Sequence, residues 1–237
     1  MFDRIKNKTL IVSEIHPQHH GSMSEIKRMI LQSKIGGADY VKVQLYNSNK
    51  LFKNDERKYL EINKEELIEI NDYSKNVGIG VFASVFDEEK IDWCEDLNFP
   101  IYKIASVTVK DRSLCKKIIS LNKPVIISLG MYNKKKVPFK NENVKYLYCV
   151  SEYPTNLEKI KMPNFKNNFY FGYSDHTIGI AASIYAVSNG AKMIEKHFSL
   201  NKSINLNTEK AHVCSMDFAD LKILREISDC ISMLRAN

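Results

Sequence analysis

The chain reads as short runs in which apolar and polar side chains alternate, separated by longer stretches in which apolar residues recur at helical spacing. Thr9 to Ile15 is a first strand, ending at Glu14, His16 and the loop PQHHG. From Ser22 to Ile35 the spacing predicts a helix, with the Ser22 hydroxyl as its cap, Glu25 three residues on, and Gly36-Gly37 as its stop. In the second strand, Tyr40 to Tyr46, Val41, Val43 and Leu45 face one side while Lys42 and Gln44 face the other. A helix around Lys64 to Asn76 precedes strand three, Gly80 to Asp87, which puts Phe82, Ser84 and Phe86 on one face.

The alternation continues to the end of the chain. A helix over Glu88 to Leu97 leads to strand four, Ile101 to Ser106, and a helix over Asp111 to Leu121 leads to strand five, Pro124 to Met131. Strand six is Val144 to Ser151. Strand seven ends at Ser174, Asp175 and His176, a helix follows from Thr177 to Ser188, and strand eight is Lys192 to Phe198. A last amphipathic helix, Asp217 to Leu234, carries Phe218, Leu221, Leu224, Ile227, Cys230 and Ile231 along one stripe. Tyr132 to Asn143 has lysines, asparagines and a proline but no helical period. The expectation is one domain, residues 1–237, folded as a (β/α)8 TIM barrel whose fifth helix is reduced or missing.

Composition narrows the class. A chain of 237 residues that is 44% hydrophobic can bury one large core. The N-terminal apolar run is too short for a signal peptide and no stretch approaches the ~20 apolar residues that cross a bilayer, so a cytoplasmic protein with no membrane partner is expected. Five scattered cysteines without a CxxC pair predict reduced thiols. The net charge of +7 comes from dispersed lysines rather than a basic stripe with interleaved aromatics, so no nucleic-acid partner is expected.

The chemistry concentrates where strands end. In strand eight Met193, Glu195 and His197 share a face, and a parallel βαβ unit brings His176 and His197 to the same rim. Two imidazoles beside a carboxylate suit a divalent metal, although each histidine alone is more often a hydrogen-bonded core residue. Inward-facing Lys42 and Lys103, with Ser106, Ser128 and Ser174, could hold a phosphorylated, carboxylated small molecule. The competing reading pairs those lysines with Glu14 and Glu195 in a structural network.

GYSDHT (172–177), EKHF (195–198), KIAS (103–106), KPVIIS-x-GM (123–131), Lys42-x-Gln44 and CVSEYP (149–154) resemble the sialic acid synthases, and the likeness runs in order from Glu14 to about Phe218. That family condenses phosphoenolpyruvate with an N-acetyl amino sugar. The resemblance implies His176 and His197 as ligands of a catalytic manganese or magnesium ion. It implies Lys42, Lys103, Ser84, Ser106, Ser128 and Ser174 as phosphoenolpyruvate contacts, with Ser151 beside them. Gln44 and Tyr153 would face the sugar, and Glu195, Glu14 and Lys103 would act at the reacting centre. The resemblance covers the barrel, without the small antifreeze-like domain with which members typically continue and which supplies an arginine to a partner's sugar site. A homodimer or another chain completing the sugar site is therefore expected. Gln18 and Ala211 stand where the family has asparagine and aspartate; Leu129 and Tyr148 also depart from its pattern. Glu209 is the candidate replacement for the lost acid, with His212 beside it. The alternatives are a barrel that binds without turnover and a synthase with a different aldehyde acceptor.

Overall fold

The computed structural model describes residues 8–133 and 136–236. Eight strands close a parallel barrel in chain order: β1 (Leu10–Glu14), β2 (Tyr40–Leu45), β3 (Gly80–Val85), β4 (Tyr102–Ile104), β5 (Val125–Ser128), β6 (Val144–Cys149), β7 (Tyr170–Asp175) and β8 (Met193–His197). Each pairs with its neighbours and β8 returns to β1, so no edge is left to solvent or to another sheet. The helices are α1 (Met23–Gly36), α2 (Ser48–Phe52), α3 (Lys64–Val77), α4 (Glu88–Asp96), α5 (Arg112–Ser120), α6 (Ala181–Ser188) and α7 (Phe218–Ala236).

Local chemistry sets the helix ends. The Ser22 hydroxyl accepts the Glu25 N–H, and Gly37 closes α1 at φ 94°, a conformation that costs a residue with a Cβ. Asn63 and Glu66 cap α3 reciprocally, a device that satisfies two N–H groups at once. α6 begins at Ala181, later than the expected Thr177, because Asp175 and the turn through Gly179 (φ 72°) hold residues 177–180 out of the helix. The Asp175 carboxylate accepts from the Thr177 N–H and hydroxyl and from Ser183 Oγ, while Lys196 Nζ sits 3.1 Å away. Lys196 thus spends its charge behind the barrel wall and points away from the lumen, as strand alternation requires.

Among the described residues no helix joins β5 to β6, as the missing period predicts. The β6–β7 crossover has also lost its helix, keeping two 3₁₀ turns, Leu157–Lys159 and Phe165–Asn167. Prolines at 154 and 163 break any run long enough for a helix. Tyr132, Val137, Phe139, Ile160 and Met162 pack on the core in place of the missing helices. The buried stripe of α7 is Leu221, Leu224, Arg225, Ser228 and Ser232; Cys230, expected within it, is exposed. Arg225 displaces the stripe because its guanidinium reaches inward to the Thr9 carbonyl and Asp39.

Candidate active site

Strand register assembles the site in layers. Glu14 lies opposite Lys42 on one side and His197 on the other, Gln44 opposite Ser84, Ser84 opposite Lys103, and Ser174 opposite Glu195. Side chains of adjacent inward positions therefore meet at the carboxyl ends of the strands. They line a cavity of about 430 Å³ at that mouth, and all the residues predicted for the site except Glu209 are on its wall: Glu14, Lys42, Gln44, Ser84, Lys103, Ser106, Ser128, Ser151, Tyr153, Ser174, His176, Glu195 and His197.

The floor is a charged network. Lys42 Nζ contacts Glu14 Oε2, donates to Ser84 Oγ at 3.1 Å and lies 3.5 Å from Glu195 Oε2. That last contact is an ion pair, since Glu195 Oε2 accepts no hydrogen bond among the described residues. Lys103 Nζ meets Glu195 Oε1 at 3.4 Å and makes no closer polar contact among the described residues. The competing sequence reading is thus present in part: Glu14 occupies Lys42, but Lys103 is only loosely matched. Burial lowers the Lys103 ammonium from its usual range despite Glu195. The Lys42 ammonium is raised, burial being outweighed by Glu14 and Glu195.

The two carboxylates are driven apart. Burial would raise Glu195, but Lys103, Lys42 and the Ser174 hydroxyl, which donates to Oε1 at 3.0 Å, hold it at about 2. Glu14 is raised by burial, which Lys42 does not fully offset. Ser128 Oγ is buried on the cavity wall with no partner among the described residues, while Ser106 Oγ accepts the Gly130 N–H and keeps its own proton to donate. Two ammonium groups flanked by uncommitted hydroxyls suit a phosphate or carboxylate.

Across the cavity stand His176 and His197, ring centroids 5.7 Å apart. His176 Nδ1–H donates to the Val150 carbonyl at 2.8 Å, and His197 Nδ1–H donates to Gln18 Oε1 at 3.1 Å. Among the described residues neither Nε2 meets a side-chain partner. This is the arrangement by which an outer partner fixes the tautomer of a metal-binding imidazole. Burial and the neighbouring His176 and Lys42 push His197 well below its usual range, leaving its ring neutral and able to coordinate. His176 is raised: burial lowers it, but Cys149, whose Sγ lies 3.8 Å from Nδ1, and the Val150 carbonyl prevail. The Tyr153 ring packs on His176 at 4.1 Å and on His197 at 5.7 Å.

One expectation is corrected. Glu209 does not replace the acid lost at Ala211. It is fully buried and spent on Tyr59 Oη, His212 Nε2 and His20 Nδ1 at 2.6, 2.8 and 2.6 Å. Ala211 lines the cavity; Glu209 and His212 stand behind it, fastening the β8–α7 loop to the loop after β1. Sequence reasoning also passed over His16, Tyr46, Arg57, Phe86 and Lys210, all on the cavity wall. Tyr46 could have been found, because it continues the period-two series of Lys42 and Gln44.

The fold and cavity define a closed (β/α)8 barrel with its polar site at the carboxyl ends of the strands. The chain belongs to the NeuB family, whose profile matches residues 29–235. It is 32% identical over 251 aligned positions to the N,N'-diacetyllegionaminic acid synthase of Campylobacter jejuni, covering 92% of this chain and 74% of that one. It is 33% identical to an uncharacterized protein of Methanocaldococcus jannaschii, over 83% of this chain and 64% of that protein's length. The crystal structure of the N-acetylneuraminic acid (sialic acid) synthetase of Leptospira borgpetersenii superposes with a TM-score of 0.86 at 26% identity, covering 98% of this chain and 86% of that one. Among the described residues no helix is long and apolar enough to cross a membrane.

Proposed function

We propose that the barrel condenses phosphoenolpyruvate with the open-chain aldehyde of an N-acylated amino sugar, giving a nonulosonic acid and phosphate. The observation that carries this reading is the juxtaposition in one cavity of a loosely matched lysine and uncommitted serines with two histidines whose Nε2 atoms meet no side-chain partner among the described residues. The names of relatives supply the acceptor class, since they make acids of the legionaminic and neuraminic type.

The donor set of His176 and His197 fits a divalent ion such as manganese or magnesium, which when bound would polarise the aldehyde oxygen as a Lewis acid. Lys42 and Lys103, with Ser84, Ser106, Ser128, Ser151 and Ser174, hold the phosphate and carboxylate of phosphoenolpyruvate. They thereby fix the enol carbon that attacks the aldehyde carbon. Gln44 and Tyr153 orient the sugar. Once the carbon–carbon bond has formed, the former enol carbon is cationic and water adds to it. Glu195, ionised at neutral pH, takes the proton from that water. Phosphate then leaves and a keto group remains. Glu14, raised by burial and in contact with Lys42, would return a proton to the new alkoxide.

The test is phosphate release from phosphoenolpyruvate with manganese and a panel of N-acylated amino-sugar aldehydes, N-acetylmannosamine first. Consumption of both substrates in equal amounts is expected. Binding of phosphoenolpyruvate without release, for every aldehyde tried, would overturn turnover and leave a binding subunit.

A further inference from the structure

The loop after β1 contains a hydrogen-bonded chain whose direction can be worked out from its first link. The backbone N–H of Gly21 points at His19 Nδ1 at 3.0 Å. A backbone amide can only donate, so His19 Nδ1 accepts and carries no proton. His19 is buried and neutral, burial having lowered it to about 4, so its proton sits on Nε2. His19 Nε2 lies 2.9 Å from His16 Nδ1, which must accept in turn. With His16 Nδ1 accepting, the one proton of that buried ring sits on Nε2, which donates to Tyr46 Oη at 3.1 Å.

The last link leaves one proton over. Tyr46 Oη receives a hydrogen bond from His16 and makes no other among the described residues, so its own O–H is uncommitted. The phenol stays protonated, since burial raises it further above its usual range. Its ring is gripped edge-on by His16, Phe52 and Phe86 at 5.2, 5.4 and 6.0 Å, which fixes where the hydroxyl points. Tyr46 lines the cavity and follows Lys42 and Gln44 outward along one face of β2. At ~3.3 Å per residue it stands one side-chain layer beyond Gln44, on the mouth side of the lysine floor. A buried donor without a partner is costly, and one that a relay of two neutral imidazoles holds in a single sense is suited to a ligand oxygen.

We propose that Tyr46 is a fixed hydrogen-bond donor to an uncharged oxygen of the aldehyde substrate, a carbonyl or hydroxyl on the sugar, and that His16 and His19 are positioning residues that aim it. The proposal rests on the reading of the cavity as an aldehyde-sugar site, and it adds a specificity residue on the side away from the phosphate cradle.

Two measurements test it separately. Long-range proton–nitrogen NMR on the whole protein labelled at histidine nitrogens should show His16 and His19 both as Nε2–H tautomers near neutral pH. An Nδ1–H form at either ring would overturn the relay, whatever the enzyme's activity. In steady-state kinetics Tyr46→Phe should raise KM for N-acetylmannosamine, or whichever acceptor the wild type turns over, about tenfold, with kcat changed by less than about threefold. The Kd for phosphoenolpyruvate should stay the same. His16→Phe, which keeps the tyrosine hydroxyl but frees it, should raise acceptor KM by about threefold, and His16→Phe with Tyr46→Phe should be no worse than Tyr46→Phe alone. Should His16→Phe fail to fold, the tautomers and Tyr46→Phe decide. If the wild type turns over no aldehyde, calorimetric titration of N-acetylmannosamine onto the phosphoenolpyruvate-loaded protein replaces KM: tenfold weaker binding to Tyr46→Phe supports the donor. Unchanged acceptor KM, or unchanged affinity in that titration, would overturn it. So would a matching loss of phosphoenolpyruvate affinity, which would mark Tyr46 as a structural prop.

Discussion

The floor and the mouth of the cavity are built from different materials. The floor is charged and comes from strand interiors: Lys42, Lys103, Glu14 and Glu195 bridge one another across the lumen. The mouth toward the loop after β1 aims neutral groups supported by loops, with Arg57 and Lys210 as charged members of the same wall: Gln18 braces His197, and His19 and His16 brace Tyr46. The floor can gather an anion because buried charge is strongly felt there and Lys103 is incompletely matched. The neutral part can instead aim hydrogen bonds without competing for that anion. An enzyme that must join a highly charged substrate to a neutral one gains from keeping the two kinds of recognition apart.

The largest effect should come from removing what stands between the halves. His197→Ala should lower metal-dependent turnover by at least about a thousandfold, since it deletes an inferred metal ligand, while phosphoenolpyruvate affinity changes little. Unchanged rates with manganese would sink the assignment of both histidines. Breaking the floor should do the reverse. Lys103→Met should weaken phosphoenolpyruvate binding by roughly a hundredfold, because it removes the less well matched ammonium and leaves Glu195 with Lys42 alone. Calorimetric titration of phosphoenolpyruvate reads this directly, and equal affinities would show that the cradle lies elsewhere.

The same division explains what could be seen in the sequence. The floor was legible because strand alternation sends every second side chain inward, so Lys42, Gln44, Ser84, Lys103, Glu195 and His197 could be phased from their apolar neighbours alone. The closed barrel and the absent fifth helix followed from the same periodicities. The neutral mouth was not legible. Which atom His16, His19, Glu209 or His212 would meet depends on how two loops distant in sequence fold against each other, and no periodicity encodes that. Glu209 shows the consequence: sequence position placed it near the sugar, while its partners hold it behind the wall. The lost helix before β7 was not expected, since only the fifth helix was read as missing; Pro154 and Pro163 could have signalled it, but its replacement by packed loop side chains could not be read.

Charge on the floor should also show in the acid limb of stability. Glu195 falls from an ordinary 4.5 to about 2 in the folded protein, so its contribution is fully present above about 4.5 and is lost as the pH drops toward 2. The size is about 3 kcal/mol, partly offset by Glu14, whose raised value favours the folded state as the pH falls. Urea midpoints measured between pH 5 and 2.5 should therefore fall more steeply in the wild type than in Glu195→Gln. Parallel slopes would mean that the lysines do not hold this carboxylate ionised.

The smallest expected effect bears most closely on the boundary between floor and mouth. Gln18 Oε1 is the partner of His197 Nδ1–H, and the Gln18 amide nitrogen has no partner of its own among the described residues. Gln18→Leu keeps the side-chain bulk but removes the acceptor, so the His197 ring loses the bond that sets its tautomer and orientation. Manganese affinity should fall about tenfold, at the low end for such outer partners, with phosphoenolpyruvate affinity in the absence of metal unchanged. Titrating manganese against the wild type and the variant, with and without phosphoenolpyruvate, separates the two. A drop in both affinities would mean that the loop after β1 supports the floor as well, and the division between charged and neutral recognition would have to be redrawn one layer deeper.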